Sequence, residues 1–231
     1  DIAITGKGDM PYRWSDDYGA RLGVLRRDDP FGQVRWFDIA PCYVFHVANA
    51  FETSSAFETS NDRGDGKSIV IHGCRYPELW RDGGGFEASA VLWEWTIDLE
   101  SGVVSERQLD DRAVEFPRID DRLAGLPARY AVSVGDARLV RYDLQTGAAT
   151  EHAFGTPDTP GGPGEAVFVP SASATADEAA GWYLAYVHDP ACNGSDLVIL
   201  DAEDFTGEPV ARIRLPRRVP YGFHGNWIPN S

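Results

Sequence analysis

Two histidines stand where an imidazole could hold a metal ion between strands. His46 lies in the middle of Trp-Phe-Asp-Ile-Ala-Pro-Cys-Tyr-Val-Phe-His-Val-Ala-Asn-Ala-Phe-Glu (36 to 52), an apolar run that reads as a buried strand. His224 sits near the end, in Val-Pro-Tyr-Gly-Phe-His-Gly-Asn-Trp (219 to 227). If side chains alternate along both stretches, His46 shares its face with Cys42, Val44 and Ala48, and His224 shares its face with Gly222 and Asn226. These neighbours are modest in size and leave room beside each ring. A histidine in an apolar strand is more often a hydrogen-bonded core residue than a ligand, although imidazole is the commonest metal ligand. Two glutamates also precede apolar stretches, where an unpaired carboxylate is costly: Glu115 in Val-Glu-Phe-Pro-Arg-Ile-Asp (114 to 120) and Glu165 in Gly-Glu-Ala-Val-Phe-Val-Pro (164 to 170). By themselves they read as turn caps or as partners of an arginine such as Arg118 or Arg129.

The elements that must position these residues read as strands. Three segments share a plan of an apolar strand ending in Asp, a polar turn with Gly, and a returning strand. They are 92 to 104 with Asp98 and Gly102, 139 to 151 with Asp143 and Gly147, and 197 to 215 with Asp201 and Gly207. Their spacing is that of a degenerate propeller repeat, amounting to three to four blades. Further strands are expected at 20 to 25 and 68 to 74, exposed loops at 53 to 67 and 81 to 86, and few helices. An arc of blades left open would expose its end strands, which suggests a piece of a longer protein.

Composition narrows the function. The 231 residues are 43% hydrophobic and 25% charged, as expected of a globular chain. A net charge of -15 with no clustered basic surface disfavours nucleic acid. No apolar run reaches the roughly 20 residues of a membrane-spanning helix. Cys42, Cys74 and Cys192, odd in number and irregularly spaced, fit free thiols in a reducing compartment, so the cytoplasm is expected.

The segments Pro-Cys-Tyr-Val-Phe-His-Val-Ala-Asn-Ala-Phe-Glu (41 to 52), Glu-Phe-Pro-Arg-Ile-Asp (115 to 120) and Gly-Phe-His-Gly-Asn-Trp (222 to 227) resemble, in order, three signatures of the carotenoid cleavage oxygenase family. The likeness extends through Arg122, Gly125, Arg129 and Tyr130 and spans nearly the whole chain. It implies an all-β fold, the C-terminal blades of a seven-bladed β-propeller, with residues 1–231 one portion of a single domain and an N-terminal portion missing. It also implies that His46 and His224 are two of four histidines holding a non-haem Fe(II), the other two lying upstream. Iron held by neutral imidazoles keeps its full charge, so Glu115 and Glu165 would compensate it and orient His46 and His224 respectively.

The reaction implied is oxidative cleavage by dioxygen of a conjugated double bond in an apolar carotenoid, apocarotenoid or stilbene, giving two carbonyl products. Phe45, Phe51, Tyr221, Phe223 and Trp227 could line a tunnel for it, or belong to ordinary core on the face opposite the histidines. The same iron serves isomerases and isomerohydrolases of the family, and a non-catalytic propeller serving as a binding platform is the reading from another class. With half the ligand set, the chain alone is expected to bind iron weakly and not to turn over. Membrane association stays open, because the apolar surface elements with which similar enzymes dock do not stand out in this stretch.

Overall fold

The computed structural model of the chain describes residues 12–53, 68–81, 88–172 and 178–229. Most of the two loops expected at 53 to 67 and 81 to 86 lies outside them. Two short strands, β1 (Ala20–Val24) and β2 (Arg35–Ile39), pair antiparallel with Ala20 opposite Ile39. Three antiparallel sheets follow in chain order. The first orders β3 (Tyr43–Thr53), β4 (Ser68–Tyr76), β5 (Val91–Asp98) and β6 (Val104–Gln108) side by side. The second runs through β7 (Val114–Arg118), β8 (Tyr130–Gly135), β9 (Arg138–Asp143) and β10 (Ala148–Ala153). In the third, β11 (Gly162–Pro163) and β12 (Val167–Pro170) both pair with β13 (Gly181–Asp189), which continues into β14 (Gly194–Asp201) and β15 (Ala211–Arg214). Among the described residues the helical structure consists of short 3-10 turns such as Asp16–Tyr18 and Asp121–Leu123.

Each sheet is an up-and-down blade, and the recurrent aspartates close its outer hairpin. Asp98 Oδ1 accepts from the backbone N–H groups of Glu100 and Ser101, both at 2.9 Å. Asp143 does the same for Gln145 and Thr146, and Asp201 for Glu203 and Asp204. A short carboxylate thus satisfies donors that the turn withdraws from the ladder. The first two turns end on Gly102 and Gly147 at φ 75°, where a Cβ would be strained. Asp143 also holds Arg129 through Nε and Nη2. Asp143→Ala is therefore expected to cost about 1–2 kcal/mol, read as a lowered urea midpoint with an unchanged slope.

The blades pack face to face. Cys74, Leu92, Val114, Val140 and Tyr142 fill the space between the first and second, and Leu139, Phe154, Phe168, Val198 and Phe205 that between the second and third. Two histidines belong to this interior. His72 is buried with Nε2 3.0 Å from Glu94. His152 is buried with Nδ1 3.1 Å from the Phe205 carbonyl, to which it donates. Burial holds the His152 pKa below its ordinary 6.5, so the unfolded chain takes up that proton first as pH falls. The resulting stability is fully present above the unfolded value and is lost as pH drops through it toward the folded one. His152→Gln, whose amide can still donate to Phe205, is expected to flatten that part of the stability-against-pH curve.

Candidate metal centre

His46 sits on β3, the edge strand of its sheet, where the ladder is irregular. Val44 faces Arg75 and Val47 faces Gly73, so three steps on β3 meet two on β4. This bulge interrupts the simple alternation expected around His46. Gly73 permits the close approach: a Cβ there would lie 3.1 Å from the His46 carbonyl oxygen. Nor is β3 the buried strand the apolar run suggested. Phe45 and Val47 are 38% and 53% exposed, because an edge strand has a neighbour on one side only.

The second histidine arrives on a segment without a ladder. Residues 215 to 229 form no strand, against the alternating strand expected at 219 to 227. Pro216 and Pro220 bring no N–H donor, and side chains bind the backbone instead. Val219 N–H donates to Ser195 Oγ at 2.9 Å and Gly225 N–H to Glu165 Oε1 at 3.1 Å. Tyr221 and Phe223 are consequently 75% and 74% exposed rather than core. Phe51 packs toward His72, with ring centroids 6.0 Å apart.

The fold brings the four residues together from distant positions. His46 Nδ1 lies 2.7 Å from Glu115 Oε2, and His224 Nδ1 lies 3.0 Å from Glu165 Oε2. The two imidazole centroids are 4.9 Å apart with an interplanar angle of 76°. Glu115 stands on β7 at a second bulge, where Glu115 faces Val134 and Arg118 faces Val132. Within the bulge, Phe116 has φ 53°, a conformation uncommon for a bulky side chain and concentrated at functional sites. It turns its own N–H onto Glu115 Oε2 at 2.7 Å and brings its ring 4.8 Å from that of His46.

Glu165 lies just before β12 with only 4% of its side chain exposed. The alternative partner weighed for it, Arg118, is present at the same time: Nη1 donates to Oε1 at 2.6 Å. Sequence spacing could not reveal this double engagement, nor the left-handed Phe116.

The donor chemistry fits a metal. A carboxylate only accepts, so each Nδ1 carries a ring proton, and in the neutral imidazole the lone pair available for coordination is then on Nε2. Among the described residues, no group of three or more His, Cys, Asp or Glu side chains is arranged to hold a metal ion. Burial, and then the carboxylate of Glu115, push the Cys74 thiol well above its usual range. Burial, and next Glu115, likewise push up the Tyr76 hydroxyl. His188 lies elsewhere, beside Tyr221 and Asn193.

The chain as a whole is similar to known proteins of one family. The family model described as retinal pigment epithelial membrane protein, RPE65, matches residues 2–229. A carotenoid cleavage oxygenase of Mycobacterium tuberculosis is 38% identical over 96% of this chain and 45% of its own length. The apocarotenoid-15,15'-oxygenase of Synechocystis is 30% identical over 98% of this chain and 46% of its own. The crystal structure of cobalt-substituted Synechocystis ACO superposes with a TM-score of 0.81 at 28% identity, covering 94% of this chain and 46% of that one. This chain thus spans about half the length of the curated relatives it matches.

Proposed function

The chain belongs to the RPE65 and carotenoid cleavage oxygenase family, and from that premise we propose that it forms the C-terminal part of a seven-bladed, iron-dependent dioxygenase. The observation that carries this reading is the pair of histidines whose Nδ1 atoms are both engaged by carboxylates and whose ring centroids lie 4.9 Å apart. His46 and His224 would hold Fe(II) with two histidines from the rest of the protein. When bound, the iron supplies the redox centre for the reaction of dioxygen with a conjugated double bond. The substrate is an apolar carotenoid, apocarotenoid or stilbene.

The net change, one C=C plus one dioxygen giving two C=O groups, neither takes up nor releases a proton. The residues of this chain therefore need not act as acid or base at the substrate. Glu115 and Glu165 instead hold protons at His46 and His224 Nδ1, presenting neutral imidazoles at a fixed angle. Their charges also offset that of the cation. Phe116 shields the two rings on one side. Cytoplasmic location is part of the proposal, resting on the free thiols.

The test is product analysis. The complete protein, supplied with Fe(II), a carotenoid or stilbene and isotopically heavy dioxygen, is expected to yield two carbonyl fragments, each carrying label. An intact, rearranged polyene would replace this reading with isomerase chemistry. Residues 1–231 alone are expected to show no robust turnover.

A further inference from the structure

We propose that Arg118 is a positioning residue that fixes the ring of His224 by assigning the two oxygens of Glu165 to different partners. This rests on the reading of His224 as a metal ligand. Arg118 Nη1 donates to Glu165 Oε1 at 2.6 Å and to the Gly225 carbonyl at 3.1 Å. Nη2 reaches both oxygens of Asp121 at 3.0 Å. The guanidinium thus spans from its own blade to the residue after His224. Gly225 N–H takes the same Glu165 oxygen, so Oε1 is fully engaged and Oε2 is left to His224 Nδ1.

The need for such a clasp follows from the segment it holds. His46 is fixed by a strand ladder as well as by Glu115, whereas 215 to 229 has no ladder and the His224 side chain is 57% exposed. The tethers flanking that ring are made by side chains, Glu165 and Arg118. Among the described residues Glu115 has no arginine partner, so the two histidine pairs are built differently. Because Arg118 lies three residues after Glu115 on β7, one strand fixes both rings and the distance between them. A guanidinium suits this place, since its planar fork offers donors in several directions at once.

The tautomers of the two histidines can be read without metal, from long-range proton–nitrogen correlation spectra of the chain carrying isotope-labelled histidine. In the wild type, His46 and His224 are each expected as the Nδ1–H form. In Arg118→Gln, His224 is expected to become a mixture of tautomers while His46 stays unchanged. His152, bonded to Phe205 far from the site, reports the fold in the same spectrum. His224 keeping its Nδ1–H form in R118Q, or His46 changing with it, overturns the proposal.

Should R118Q lose the His152 signal, the decision passes to Arg118→Lys, which keeps the charge but cannot make all the contacts of the fork. An R118K spectrum between the two extremes supports the bridging role, and one identical to wild type overturns it. Glu165→Gln separates the proposal from its premise. A shift of His224 in E165Q with none in R118Q condemns only the role of Arg118; no shift in E165Q condemns the pairing on which the metal reading stands.

Discussion

Alanine at either His46 or His224 is expected to empty the proposed iron site of the complete protein. Purified without oxygen, the wild type should carry about one iron per chain by elemental analysis, since a site closed by folding retains its metal. Each substitution removes one imidazole donor and leaves its glutamate facing the vacated ring position. The loss should exceed the roughly 10–100-fold fall in affinity that removal of a supporting partner produces. His188→Ala is the control, because His188 pairs with Asn193 and Tyr221 rather than with either glutamate and should retain full iron. Iron surviving in either variant would leave that histidine with a structural role. Absence of iron from the wild type would leave a propeller whose blades serve as a binding platform.

What could be read from the sequence was what local chemistry decides. Asp98, Asp143 and Asp201 announce the three outer hairpins because a carboxylate two or three residues before exposed N–H groups closes a turn whatever the rest of the chain does. The blades and their order follow from that repeat. The site was legible as residue types in familiar signatures rather than as geometry. Periodicity failed where tertiary contacts override it: a bulge beside His46 breaks the alternation, and two prolines with side-chain tethers replace a strand around His224. Glu115 takes the histidine, and Glu165 posed a choice between arginine and histidine that the fold does not make. A carboxylate has two oxygens, and Glu165 uses one for each. Such an arrangement joins positions 47, 59 and 107 residues apart, which no local pattern encodes.

The same division of oxygens predicts that the two glutamates will not be equivalent. In Glu165→Gln the amide has one oxygen and one NH2 to place. Arg118 and Gly225 both donate into the Oε1 position, so the oxygen is drawn there and the NH2 turns toward His224. A donor facing Nδ1 requires a lone pair on Nδ1, which moves the ring proton to Nε2, the atom offered to the metal. Glu115→Gln meets no such conflict. His46 and the Phe116 N–H both donate to Oε2, so the oxygen can stay there, with the NH2 at the other position beside the buried Tyr76 hydroxyl. Metal affinity of the complete protein is accordingly expected to fall by about a hundredfold in E165Q and by about tenfold or less in E115Q, the two ends of the range for supporting partners. A competitive chelator titration of both variants measures the ratio directly. Equal losses would mean that lost negative charge, common to both substitutions, governs the site rather than the tautomer; a larger loss in E115Q would mean that β7, and not the C-terminal segment, sets the ligand geometry.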